Sequence, residues 1–225
     1  MAAALPGKIL CVVTDRTIFD TGGAPPEPRL IDAVRGAVSG GANMVQLRER
    51  GLAGRDLLSL ALELRRITHD RALLIVNERV DIAIASGADG VQLGEQSMSI
   101  SAAKYVCGDR LLIGRSVHDM YGAQDAERDD ADFLIAGTIF ASRSHPGMGA
   151  AGTALISEIT GSVSTPTLGI GGVTPSNAAG VIAAGATGVA VIGAILDSTN
   201  PREAAEALAA ETGLGVAAAG DGIDP

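Results

Sequence analysis

Aromatic side chains are almost missing from this 225-residue sequence, which has no tryptophan, two tyrosines and three phenylalanines. A core must then come from Val, Ile, Leu and Ala. With 47% apolar residues and 30 glycines, that palette suits buried parallel strands covered by helices. Cysteine is scarce as well. Cys11 and Cys107 lie in or beside apolar stretches, without the CxxC or Cys/His spacing of a zinc site, and read as buried thiols. Basic residues are outnumbered, 17 Lys and Arg against 26 Asp and Glu, for a net charge of −9. The deficit argues against a nucleic-acid partner, whose backbone needs clustered Lys and Arg. It still leaves local basic residues free to hold a small phosphate ester. No apolar run approaches the length of a membrane span, and MAAALPGK lacks the basic and long apolar regions of a signal peptide. A cytoplasmic protein without a membrane partner is expected. No linker or charge block divides the chain, so residues 1–225 are expected to form one domain.

What the chain does have is a rhythm. Short β-rich runs at 9–15, 44–49, 72–77, 90–94, 111–117, 132–139, 166–172 and 188–194 alternate with stretches of helical spacing, from LIDAVRGAVSGG to NPREAAEALAAETG. Several of those stretches open at Ser, Thr, Asp or Asn and close at Gly, as helix caps require. Alternating βα units with short connections imply parallel strands joined by right-handed crossovers, and eight such units predict a single-domain (β/α)8 TIM barrel with a core at about 9–208. A doubly wound open sheet is the rival architecture. The Gly/Ala/Asp bias of residues 209–225 predicts a frayed, flexible tail. GGANMVQL, SGADGVQL, DDADFLIAG and AGATGVAVIG echo one another before strands, which turn chemistry explains.

In such a barrel the chemistry collects at the C-terminal strand ends. Gln46, Arg48 and Arg50 of QLRER alternate onto one side of the second strand, and an inward Arg48 needs an anionic ligand or a carboxylate such as Glu78 or Glu49. Asn77, closing the third strand, can orient a heterocycle by donating and accepting together. Ser116 and His118 close the fifth, where His118 either packs or serves as a general acid/base. The loop after strand six carries Ser144, His145, Met148 and Gly149. The turns at Gly171 and Gly172 and at Ile192 and Gly193 follow strands seven and eight, the common phosphate site of these barrels. His69 sits at a helix C-terminus, where an imidazolium complements the dipole.

QLRER, NERVDIAIASGADGVQLG, IGRSVH, DADFLIAGTIF, TLGIGGVTPSN and GVAVIGAI together resemble the thiamine phosphate synthase/TenI family of (β/α)8 barrels over about residues 9–208. The synthase branch joins a pyrimidine pyrophosphate to a thiazole phosphate with magnesium, and its usual motifs are QLREK, NDR, VHLGQxD and a TPTxTK-like loop. This chain has Arg50 for the lysine, Glu78 and Ser97 for two metal-binding aspartates, Gln92 for the histidine, His145 for the loop lysine and Gly193 for a serine. Losing one aspartate and lengthening the other should weaken a magnesium site. RER, VQL, GRSVH and IGGxTP bring the chain nearer to the thiazole tautomerase branch, TenI, which aromatises a carboxythiazole phosphate tautomer without a metal.

The resemblance therefore implies a thiazole tautomerase, an isomerase with no cofactor, in which His118 moves the proton. Imidazole suits a base that returns its proton near neutral pH. The phosphate is expected at Gly171, Gly172, Ile192 and Gly193, and the carboxylate near Arg48, Arg50 or the Ser144–Gly149 loop. Alternatives are a magnesium-dependent thiamine phosphate synthase and a non-catalytic thiazole or thiamine phosphate-binding protein. Relatives of this fold lead one to expect a homodimer or higher homo-oligomer.

Overall fold

A computed structural model describes residues 2–142 and 149–214. Eight parallel strands close into a barrel in chain order: β1 Ile9–Val13, β2 Met44–Leu47, β3 Leu73–Asn77, β4 Gly90–Leu93, β5 Leu112–Val117, β6 Phe133–Ala136, β7 Thr167–Ile170 and β8 Gly188–Val191. β8 pairs with β1, with Ile9 opposite Gly188, so no sheet edge is left open. The open-sheet rival is excluded. Helices follow the strands: α1 Glu27–Ser39, α2 Gly54–Thr68, α3 Val80–Ser86, α4 Ile100–Cys107, α5 Met120–Arg128, α6 Thr153–Thr160, α7 Pro175–Ala183, the short α8 Gly193–Leu196 and α9 Pro201–Thr212.

Both faces of each strand are buried, which is why the runs read as continuously apolar rather than alternating. One apolar layer lies between strands and helices. The other fills the barrel with Ile9, Cys11, Val13, Met44, Ile75, Leu112, Phe133, Ile135, Leu168 and Ala190. Phe133 is the one aromatic ring of that inner layer, and it fits because its β5 neighbour is Gly114; a Cβ there would stand 2.3 Å from Phe133 Cζ. Cys11 and Cys107 are buried and free, and burial pushes the Cys11 thiol up to about 12.

The repeated small-residue turn is more than turn chemistry. Asn43 Oδ1 accepts from Leu10 N at 2.9 Å, Asp89 Oδ2 from Leu74 N at 2.7 Å and Asp132 Oδ2 from Ile113 N at 2.7 Å. Each side chain stands before an even-numbered strand and ties it to the odd-numbered strand ahead of it. The fourth member, Thr187, instead ties β8 onward to β1 through its backbone carbonyl, which accepts from Ile9 N.

Several strands are shorter than expected. The second ends at Leu47, the sixth at Ala136, the seventh at Ile170 and the eighth at Val191, so Arg48–Arg50, Thr138 and the glycine turns belong to loops over the mouth. The frayed-tail expectation is corrected at its start, since residues 209–212 belong to α9; residues 215–225 lie outside the described residues. Among the described residues no helix is long and apolar enough to cross a membrane.

Candidate functional site

A cavity of about 990 Å³ opens at the C-terminal ends of the strands. Its floor is the uppermost inward layer: Val13, Gln46, Asn77, Ser116, Ile135, Ile170 and Ala190. One half of that floor, from β2 to β5, is polar, and the rest is apolar. Gln46 is only 4% exposed, and its Nε2 donates to Asn77 Oδ1 at 2.9 Å. Its Oε1 is buried and has no hydrogen-bond partner among the described residues. A buried carbonyl left unpaired costs about 1–3 kcal/mol.

Arg48 and Arg50 stand on the wall above. The backbone N–H of Arg48 donates to Thr14 Oγ1 at 2.9 Å, while its guanidinium makes no ion pair with a described residue. The two carboxylates proposed as its partners are otherwise engaged. Glu49 is buried and accepts from the Arg16 N–H with both oxygens at 3.1 Å, pinning the loop after β1 and with it Asp15 and Ile18 of the cavity wall. Glu78 accepts from Ser97 Oγ at 3.0 Å. No ion pair joins Arg48 to Glu49 or Glu78, which act on it only through their fields. Burial lowers the pKa of Arg48 and Arg50 lowers it further, against the raising fields of Asp15, Glu78 and Glu49. An anion beside it would reverse that penalty.

His118 lies exposed at the mouth just past β5 and lines the cavity, its Nδ1 hydrogen-bonded to the Gly137 carbonyl. A carbonyl oxygen only accepts, so Nδ1 is the donor in this bond, and Nε2 has no hydrogen-bond partner among the described residues. His69 meets Asp70 at the end of α2, away from the cavity.

Gly171, Gly172, Ile192 and Gly193 form the opposite wall. Gly171 and Gly172 have φ of 103° and 62°, in the region open to glycine. Their carbonyls are taken by Phe140 N and Asn177 Nδ2. A Cβ on Gly172 would stand 2.5 Å from the Ala141 carbonyl, because the stem of the β6–α6 loop lies directly on this turn. That stem, Thr138, Ala141 and Ser142, lines the cavity; the sequence reading put Thr138 inside strand six, which ends at Ala136, and gave none of the three a site role. Ser144, His145 and Met148 lie outside the described residues. Gly149 is exposed and is not part of the cavity wall, a correction to its assignment as a contact. Asp15, Glu78 and Asp197 also line the cavity; the signal for Asp15 and Glu78 was an acidic group just beyond a strand, while Asp197 follows α8 and gave none.

Magnesium, implied by the synthase resemblance, takes oxygen ligands in octahedral geometry and is held through one or two carboxylates together with substrate phosphates. Ser97 Oγ donates to Glu78 and accepts from Gly94 N at 3.0 Å, so the two positions read as metal-binding meet at the mouth. They supply one carboxylate and one neutral oxygen. Such a donor set fits a magnesium ion that draws its remaining ligands from phosphate and water.

Residues 10–195 match the family TMP-TENI, described as thiamine monophosphate synthase. The chain is 44% identical over 204 residues to a protein of Methanoculleus marisnigri named thiamine-phosphate synthase, covering 90% of this chain and 94% of that one. It is 40% identical over 202 residues to a protein of the same name from Roseiflexus castenholzii, covering 89% and 86%. Among solved structures, thiamine phosphate pyrophosphorylase from Pyrococcus furiosus superposes with a TM-score of 0.81 at 34% identity, covering 92% of this chain and 96% of that one.

Proposed function

Because the chain belongs to the thiamine monophosphate synthase family, TMP-TENI, we propose that it is an enzyme of thiamine biosynthesis that takes a thiazole phosphate into the mouth of its barrel. The phosphate would sit on the backbone N–H groups of the turns at Gly171–Gly172 and Ile192–Gly193, and the heterocycle over the polar floor. Arg48 and Arg50, which have no ion pair among the described residues, face that turn across the cavity and would hold a second anionic group.

The relatives support the transferase that the sequence analysis set second rather than the tautomerase it set first. In this reading the chain joins a pyrimidine pyrophosphate to the thiazole phosphate. The observation that carries it is that Arg48 and Arg50 line the same cavity as the glycine turns at Gly171–Gly172 and Gly193, which provides charge for a second phosphorylated substrate beside the thiazole phosphate. Arg48 and Arg50 would neutralise the pyrophosphate. Glu78 with that pyrophosphate would hold magnesium, which would offset the charge of the leaving group when bound.

A second reading, thiazole tautomerisation, is favoured by one specific observation: His118 lines the cavity with its Nδ1 donating to the Gly137 carbonyl and its Nε2 without a partner among the described residues. One base that accepts a proton from carbon and returns it elsewhere suffices for that step, and is worth about 10²- to 10⁴-fold. The purified protein is to be given the two thiamine precursors with magnesium or with EDTA, and separately the non-aromatic carboxythiazole phosphate. Magnesium-dependent thiamine phosphate supports the transferase. Aromatisation that survives EDTA and is lost in His118→Gln supports the tautomerase, and neither product would overturn the enzyme assignment.

A further inference from the structure

Beneath the floor of the cavity lies a second amide that the proposed function leaves unused. Gln92, on β4, is 1% exposed and does not line the cavity, and its Nε2 donates to Ser116 Oγ on β5 at 3.0 Å. Its Oε1 has no partner among the described residues. The place of that oxygen is set by Gly114, since a Cβ there would stand 2.1 Å from it, with Phe133 Cζ 2.3 Å from the same point. The Phe133 ring edge is the electropositive part of an aromatic ring, so this spot suits a carbonyl oxygen and turns the amide nitrogen toward Ser116.

That orientation has a consequence for the hydroxyl. Ser116 Oγ accepts from Gln92, lines the cavity, and donates to no described residue. A hydroxyl has one proton to donate, and with one lone pair occupied by an amide N–H beneath it the proton turns upward into the cavity. The neighbouring pair works alike: Gln46 donates to Asn77 Oδ1, which leaves the Asn77 amino group as the side facing the ligand.

We propose that Gln92 is a positioning residue that sets the polarity of Ser116, holding its O–H as a donor to an acceptor atom of the heterocycle. The inference rests on the reading that this mouth takes a thiazole phosphate. A buried glutamine that touches no ligand then governs affinity through one hydrogen bond.

The test is a double-mutant cycle read by calorimetric titration with thiazole phosphate, supplemented by NMR of the ligand-free protein. Gln92→Met keeps volume and removes the donor, and Ser116→Ala removes the hydroxyl. Each is expected to weaken binding about tenfold, the worth of one hydrogen bond. With Ser116 already alanine, Gln92→Met should cost less than about twofold, because its effect runs through the missing hydroxyl. Gln92→His, which retains an N–H donor, should keep affinity near that of the parent, while Gln92→Asn, too short to reach, should behave as Met does. That pair of variants carries the same comparison if Gln92→Met does not fold. In the ligand-free protein, the Gln92 side-chain amide protons should shift on Ser116→Ala. Losses that multiply, unchanged affinity in Gln92→Met, or unmoved amide resonances would each overturn the inference alone. A parent protein that binds no thiazole phosphate would overturn the proposed site and this inference with it.

Discussion

Arg48 is where the sequence and the geometry press hardest on one side chain. A half-buried guanidinium with no ion pair among the described residues loses more by desolvation than the fields of Asp15, Glu78 and Glu49 return, until an anion arrives. Arg48→Met is therefore expected to hold or raise the thermal midpoint while raising KM for the anionic substrate about tenfold or more, a split visible by calorimetry and steady-state kinetics. Glu49 gives a pH signature of its own. Burial raises its pKa above the ordinary 4.5, against the lowering effect of its bonds to Thr14 and the Arg16 N–H. A carboxyl whose folded pKa is raised binds its proton more tightly in the fold, so its contribution is full below pH 4.5 and is lost as pH rises through the folded value. The stability of the parent relative to Glu49→Gln should thus fall as pH rises above 4.5, read from urea midpoints at a series of pH values. Gln46, Asn77, Ser116 and His118 could be named from sequence because they end strands whose period was plain. Thr138 and Ala141 could not be assigned, since their place depends on loops that only the closed barrel brings together.

At the scale of elements, the even-numbered strands carry their own fastenings. Asp132 sits just ahead of β6 and accepts the Ile113 N–H of β5, and Asp89 does the same for Leu74 of β3 while also meeting Arg65 at 2.5 Å. Asp132→Ala leaves that N–H without its acceptor and should cost about 1–3 kcal/mol in denaturant unfolding, with Asp132→Asn costing less because its Oδ1 still accepts. The echo that marks these positions was legible, but its purpose was not. Pairing of a turn side chain with another strand is a property of the barrel register, which the local sequence does not contain. Glu127, at the end of α5, shows the opposite pH sign to Glu49. Its Oε1 accepts from the backbone N–H and hydroxyl groups of Ser164 and Thr165, bonds that hold its pKa below 4.5 and fasten α5 to the segment before β7. That contribution is present above pH 4.5 and fades as pH falls through the depressed value, so the advantage of the parent over Glu127→Gln should shrink below pH 4.5.

For the whole molecule, eight parallel strands and their helices were readable because the strands are largely buried on both faces and several helices, α4, α5, α7 and α9 among them, carry their own N-caps. The cavity follows from that closure: a polar half-turn from β2 to β5, glycine turns after β7 and β8, and arginines on the wall of a phosphate-sized space in an acidic chain. Which half of thiamine chemistry runs there depends on Glu78, Ser97 and His118. The premise common to both reactions is that a thiazole phosphate binds by its phosphate. Isothermal titration of the purified protein with the thiazole phosphate and with the same thiazole alcohol tests that premise most directly. The account predicts saturable one-to-one binding of the phosphate ester, with the alcohol weaker by at least about tenfold, as expected for charge-assisted hydrogen bonds to an anion. No binding of the ester, or equal binding of ester and alcohol, would contradict it.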